Sequence, residues 1–478
     1  MNYPILWDKV YNLAMKNILH TWFGNKEFYK MVMAIALPLV IQQFISTFVS
    51  LLDNIMVGQV GTLAMSAVSI SNQLLMVVTL AMIGSVNAAG IFSAQYCGKK
   101  DIEGMQGCLR FKIYISVFFA VLGIIIFSLF GNNLVKLYMN ENANDISSIN
   151  QTMHYALDYI DIMLFGIVPF AISTALGSSM RDTGKTVLVM VGSVCGVLVN
   201  FCLNYCLIFG NFGFPELGVE GAAIATVISR FVEMSVIIFG TIKHKKDYYP
   251  YVKGLFNKFS VSFDLIKKIA EKGTPLIFNE IFWSIGLAAI SQRYSTRGLD
   301  AIAAINMNDT VSNLFAMSSM ALGIAVSILV GQRLGAGKVE EAKDIDKKML
   351  TFSFMVSVVF TVLLFNVAPY LPKIYKADES VQDLACTLLR ITSLSLPLSA
   401  ICNTCYYTLR AGGKTVITFL FDCGYTCVVS YATVSILAIF TTLPVVNIYF
   451  VVKMMDIIKA VIGLILLHKG VWIHNLVN

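Results

Sequence analysis

The chain has 478 residues, of which 57% are hydrophobic and only 13% charged, with a formal net charge of +7. Soluble domains carry about 25% charged residues, so this composition cannot cover a water-facing surface and excludes a large soluble catalytic domain. At about 20 apolar residues per helical span, the length holds about twelve spans, and on such a protein a positive balance reports orientation rather than nucleic-acid binding.

Residues 1–30 read as an amphipathic segment, with Trp7, Tyr11, Trp22 and Phe23 among Lys9, Lys16, Lys26 and Lys30. That pattern suits an interfacial helix on the inner leaflet, and no short apolar region with a small-residue cleavage site marks a signal peptide. Apolar runs then predict helices over 31–56, 67–96, 112–138, 153–179, 186–209 and 219–242, and over 274–295, 304–331, 349–371, 384–409, 415–440 and 445–468. The expected fold is an all-α polytopic membrane protein with twelve transmembrane helices in two pseudo-symmetric six-helix bundles. Residues 31–242 form an N-lobe, 243–273 a cytoplasmic basic linker with eight lysines and an amphipathic helix, 274–468 a C-lobe and 469–478 a cytoplasmic tail.

Orientation follows from the 35 Lys and Arg residues. With the N-terminus inside, only Lys136, Arg293, Arg297, Lys373 and Lys376 fall outside, and Arg230, Arg390, Lys453 and Lys459 fall within spans, which leaves 26 on the cytoplasmic side. Both termini are therefore expected in the cytoplasm, and external loops such as Glu141 to Asp145 run acidic. Of ten cysteines, most sit in apolar runs. Pairs such as Cys202/Cys206 and Cys423/Cys427 share a helix face but have no nearby His and no zinc-ligand spacing, so they read as small buried residues and no metal is expected.

A shift of about 237 residues aligns the two halves. It sets Ala36-Leu37-Pro38-Leu39 on Gly273-Thr274-Pro275-Leu276 and Gly98 on Gly335. A shift of about 229 sets Met180-Arg181-Asp182-Thr183-Gly184-Lys185-Thr186 on Leu409-Arg410-Ala411-Gly412-Gly413-Lys414-Thr415. Six helices is an even number, so both copies enter the membrane in the same sense and relate by an axis along its normal. The Thr-Gly-Lys-Thr run lacks the upstream glycine spacing of a phosphate loop and reads as a cytoplasmic turn.

Five segments in this order resemble the multidrug and toxic compound extrusion (MATE) transporters. They are Leu51 to Gly58, Ala94 to Gly98, Asn200 to Asn204 with Ile208-Phe209-Gly210, Gly221 to Thr226, and Leu409 to Gly413. The resemblance covers nearly the whole chain from about residue 30. It implies two bundles forming a V and antiport of organic cations or other amphiphiles against protons or sodium ions, with no enzymatic step and no cofactor beyond the coupling ion.

Carboxylates inside spans are the default functional candidates, because an ionised Asp at the bilayer centre costs about 2.5–3.5 kcal/mol. Asp53 follows 22 residues without a charge and lies in the outer half of its helix, where it either marks the water boundary or serves the transport cycle. Asn200 and Asn204, four apart on one helix face, and Thr226 reach a similar depth. These oxygens and amides would suit an alkali cation or a carboxyl that alternates between charged and neutral. The repeat places Ile290, Val429 and Thr433 opposite Asp53, Asn200 and Asn204, so the polar cluster belongs to the N-terminal half alone. The resemblance implies the same assignment, since a first-helix Asp matching Asp53 is ion-linked in archaeal and some bacterial members. Some of those members have a second carboxylate where this chain has Asn204, which leaves proton and sodium coupling both open.

In the C-terminal half Glu280, with Asn279 and Trp283, is a candidate substrate-cavity acid, Trp283 offering a cation-π face; pairing of Glu280 with Lys268 or Lys272 is the alternative. Asp422 either lines the cavity or bonds Arg410 or Lys414. The sodium-coupled branch has a glutamate where this chain has Ser284 and an aspartate near Leu398 to Ile401, and neither is present. Pro38 removes the helical donor to residue 34 and makes the first helix a hinge. The expected protein is a monomeric plasma-membrane antiporter that exports small cationic or amphiphilic compounds. A lipid-linked oligosaccharide flippase of the same superfamily, a channel and a receptor are the alternatives; a flippase would need a strongly cationic cavity.

Overall fold

The computed structural model describes residues 22–138, 146–244, 249–374 and 377–477. The segment 1–21, the loop at Glu141 to Asp145 and Lys376 lie outside the described residues. Among those described, twelve long helices carry the fold: α1 (Lys26–Val60), α2 (Thr62–Lys99), α3 (Ile102–Lys136), α4 (Ile146–Asp182), α5 (Val187–Phe209) and α6 (Gly218–Lys243), then α7 (Phe263–Ser295), α8 (Leu299–Gly335), α9 (Val339–Val367), α10 (Glu379–Ala411), α11 (Thr415–Phe440) and α12 (Val445–His468). Eleven are long and apolar enough to cross a membrane. The twelfth, α12, carries Lys453, Asp456 and Lys459 in the middle of an otherwise apolar sequence.

Most helices run beyond the apolar stretches that announce them. At 1.5 Å per residue, the 35 residues of α1 span about 52 Å, against a hydrocarbon core of about 30 Å. Polar end turns therefore continue the helix into the aqueous layers, where hydropathy carries no signal. The linker shows the same effect. Its amphipathic helix is not separate, because residues 263–273 are the opening turns of α7 and run through Pro275 into the span. Linker residues 253–258 dock on α3: Arg110 Nε donates to the Leu255 carbonyl at 2.7 Å, Gln106 Nε2 to that of Lys253 at 2.9 Å, and Lys258 pairs with Glu103 at 2.7 Å.

The helices form two compact units whose boundary cuts across α1 and α2. One unit holds residues up to Leu37, Ala94–Lys100 and Thr274–Asn478; the other holds Pro38–Ser93 and Asp101–Gly273. The break in α1 therefore falls at Pro38. Helix pairings recur between the units: α3 packs on α4 and α4 on α6 in one, α9 on α10 and α10 on α12 in the other. Each pairing encloses its own apolar core, around Ala67, Phe127, Ile160 and Ala223 in the first case and around Ala304, Leu388, Val434 and Ile448 in the second.

Two polar details hold the interior together. Lys112 is wholly buried; its ammonium pairs with Asp182 and donates to Ser178 Oγ at 3.0 Å. Removing one partner of a buried pair leaves the other uncompensated, at a cost of about 3–5 kcal/mol. Lys112→Met is therefore expected to lower the thermal unfolding midpoint in detergent sharply, and Lys112→Met combined with Asp182→Leu to recover most of the loss. The second detail is the crossing of α2 and α8. A Cβ on Gly98 would sit 1.8 Å from the Gln332 carbonyl oxygen, and one on Gly335 1.9 Å from that of Gln95. Because 98 and 95 plus 237 give 335 and 332, the contact is reciprocal between the repeats. The tail closes over it: Gln95 donates to the Ala411 carbonyl at 3.0 Å and accepts from the Leu476 amide at 2.7 Å, and Lys99 donates to the Val477 carbonyl at 2.7 Å.

Candidate substrate and ion site

The N-terminal half contains a cavity of about 750 Å³ between α1, α2, α4, α5 and α6, within the 300–1,000 Å³ typical of small-molecule sites. Close packing of α5 on α6 sets one wall. Gly221 lies so near the Leu207 carbonyl that a Cβ there would approach to 2.6 Å, and this contact brings the polar face of α5 against α6. Asn204, Asn200 and Thr226 meet on that wall and Asp53 reaches it from α1. All four line the cavity.

Asn204 Nδ2 donates to Asp53 Oδ1 at 2.6 Å. The Asn200 amide fits two ways. With its nitrogen toward Asp53 it stands 3.0 and 3.1 Å from the two carboxylate oxygens, and its oxygen accepts from Thr226 Oγ1 at 3.2 Å. Turned over, its oxygen faces Asp53 and accepts from Asn204 at 3.2 Å, while its nitrogen donates to Thr226 at 3.2 Å. Hydrogen-bond logic ties orientation to charge. An ionised Asp53 takes donors from both amides, whereas a protonated one could donate to Asn200 Oδ1. The same side chains therefore accommodate both states without moving the backbone.

The asymmetry between the repeats is visible in the fold, since Ile290 opposite Asp53 is a buried member of the apolar C-half core. Among the C-half candidates, Asn279 Nδ2 donates to Asp422 Oδ2 at 3.1 Å and Lys459 Nζ to Asp422 Oδ1 at 2.7 Å. Asp422 thus pairs with Lys459 rather than Arg410 or Lys414. It lies on a π-helical stretch, 420–430, whose wider turns are uncommon and often found at functional positions. Glu280 is half-buried and Trp283 exposed; among the described residues no hydrogen bond joins either to this group. Lys268 is taken by Asp264 at 2.8 Å. None of the four lines the N-half cavity.

Several cavity residues escape sequence reasoning. In α4 the acids Asp158 and Asp161 draw attention, yet Asp158 pairs with His154 and Asp161 is exposed. It is the neighbouring Tyr159, with Met163, Phe170 and Ser173, that faces the cavity; their spacings of four, seven and three residues keep to one helix face, and that is the signal that could have found them. Glu233 and Arg230 also line it, as do Gln42, Ser193 and Arg181. Among the described residues no group of three or more His, Cys, Asp and Glu side chains could hold a metal ion.

A family model described as MatE matches the chain twice, over residues 38–206 and 275–434. The chain belongs to the MatE family. The two MatE matches begin 237 residues apart and end 228 apart, which reproduces the internal duplication and its shortening. The chain is 27% identical over 402 residues to the probable multidrug resistance protein NorM of Thermotoga maritima, covering 82% of this chain and 83% of that protein. It is 28% identical over 372 residues to the Pasteurella multocida protein of the same description, with 76% of each covered. Among solved structures, the outward-facing conformation of a multidrug resistance MATE family transporter superposes with a TM-score of 0.82 at 18% identity, covering 94% of this chain and 96% of the other. As a member of this family the chain is a multi-pass membrane transporter and not an enzyme, with the MATE fold.

Proposed function

We propose that this MATE transporter is a plasma-membrane antiporter, with both termini cytoplasmic, that exports cationic or amphiphilic compounds in exchange for protons or sodium ions. One observation carries the reading: the Asp53 carboxylate, with Asn200, Asn204 and Thr226 around it, opens onto a cavity large enough for an organic molecule. A cationic group of the substrate and the coupling ion then compete for one carboxylate, and mutually exclusive occupancy of one site is the simplest basis for antiport. The relatives described as multidrug resistance proteins agree with this cargo. The charge of the cavity disfavours a pyrophosphate flippase, because Asp53 and Glu233 balance Arg181 and Arg230. Pro38, at the unit boundary, supplies the bending point through which occupancy at Asp53 reaches the rest of α1.

The test is reconstitution in liposomes with a pH gradient or a sodium gradient imposed separately and a cationic dye, rhodamine 6G, as cargo. Concentrative dye movement is expected in at least one gradient and collapse when that gradient is dissipated. Dye movement that never exceeds equilibration in either gradient would overturn antiport.

A further inference from the structure

Cys423 and Cys427 take no part in the ion-exchange reading. Both thiols are free, Cys423 buried and Cys427 half-buried, and their Sγ atoms lie 3.7 Å apart. They sit on the π-helical stretch 420–430 of α11, whose wider turns rise less per residue than those of an α-helix and draw positions four apart together. α7 makes room beside the pair. Cys427 Sγ donates to the Phe282 carbonyl at 3.4 Å, and a Cβ on Gly286 would lie 3.0 Å from that sulfur.

An aromatic group adjoins the thiols. Phe419 stands four residues before Cys423, so Phe419, Cys423 and Cys427 keep to one face of α11. The Phe419 ring meets Phe282 edge to face at 6.4 Å, and Phe282 stacks on Phe278 at 6.0 Å. Phe278 and Phe282 are exposed. Two thiols and an accessible aromatic surface therefore lie side by side, and the sulfur geometry selects the ligand. An atom bonded to both sulfurs at about 2.3 Å, the length of a zinc–thiolate bond, would subtend about 107° across the 3.7 Å gap. That angle suits the pyramidal bonds of trivalent arsenic, whereas a soft cation in linear two-coordination would need sulfurs about 4.6 Å apart. Charge selects in the same direction. A cation would require thiolates inside a membrane span, where burying charge is costly, but condensation of a neutral arsenoxide with two thiols leaves a neutral product.

We propose that Cys423 and Cys427 form a dithiol site for neutral aryl compounds of trivalent arsenic, the aryl ring resting on Phe282 and Phe278. Two As–S bonds form, the two thiol protons leave with the arsenoxide oxygen as one water, and no atom changes oxidation state. The site is independent of the antiport reading, since none of its residues lines the N-half cavity.

Phenylarsine oxide is the probe, applied to the purified full-length protein in detergent. Cys202 and Cys206 also stand four apart on α5, so the test uses the background Cys202→Ser with Cys206→Ser. Intact-mass spectrometry is expected to show about one phenylarsenic adduct per chain, removed by dimercaptopropanol and not by a monothiol at the same thiol concentration. Adding Cys427→Ser is expected to weaken binding about a hundredfold or more, because the second As–S bond and its intramolecular advantage are both lost. A second measurement needs no substitution in the site. After arsenical treatment the protein is unfolded in dodecyl sulfate, its open thiols are alkylated, the arsenic is released, and the thiols that then appear are identified; Cys423 and Cys427 are expected. No adduct, an adduct undiminished by Cys427→Ser, or protection of a different pair overturns the inference.

Discussion

Asp53→Asn is expected to abolish uphill transport while sparing downhill exchange. For one-for-one electroneutral exchange, a gradient of one pH unit stores about 1.4 kcal/mol and sustains about a tenfold concentration ratio. In the variant that ratio should fall to about one, because asparagine has the shape of a protonated carboxyl but cannot release its proton or bind a cation by charge. The site itself should persist. Asn204 Nδ2 lies 2.6 Å from the Asp53 oxygen, and an amide oxygen there accepts the same bond. Exchange of labelled dye across the membrane at equal concentrations therefore separates loss of coupling from loss of the cavity. An uphill ratio equal to that of the parent protein would remove Asp53 from the coupling step.

The second large effect belongs to the fold. Gly98→Ala and Gly335→Ala each place a methyl group within 2 Å of a carbonyl oxygen on the opposing helix, where no flexible side chain can yield and the backbones must part. Overpacking of this kind costs about 1–3 kcal/mol, occasionally more, and both variants are expected at or above the upper end. Because the contact is reciprocal, the two substitutions should lower the thermal midpoint by similar amounts, whereas Gly61→Ala, with open space around its Cβ, should act only through the strain of its positive φ. A Gly98→Ala protein that unfolds at the parent midpoint would contradict the close crossing.

Much of the fold is legible in the sequence because a bilayer imposes simple rules. Runs of apolar residues locate the helices, and the 237-residue shift between Gly98 and Gly335 exposes the duplication from the residues alone. Helix ends are less legible, since polar end turns such as 263–273 continue a helix beyond the apolar stretch that hydropathy marks. The Asp53 cluster can be read from depth and four-residue spacing, because one charge in a long apolar helix has few explanations. Arg230 and Glu233 are harder. Three residues apart on one helix, they look like an ordinary ion pair, and only the stacking on Phe170 and the Ser193 bond show that the pair is opened toward a cavity. For Asp422 proximity in sequence misleads, since its partner Lys459 is 37 residues away on a different helix.

If substrate and coupling ion exchange at Asp53, ions must leave as substrate binds, and the number displaced is the most direct measurement of that exchange. Calorimetric titration of the purified protein with rhodamine 6G, in buffers of differing ionisation enthalpy, counts released protons, and displacement of radioactive sodium counts the alternative ion. The parent protein is expected to release about one proton or one sodium ion per dye bound, and Asp53→Asn none. Equal release by both proteins would contradict the account.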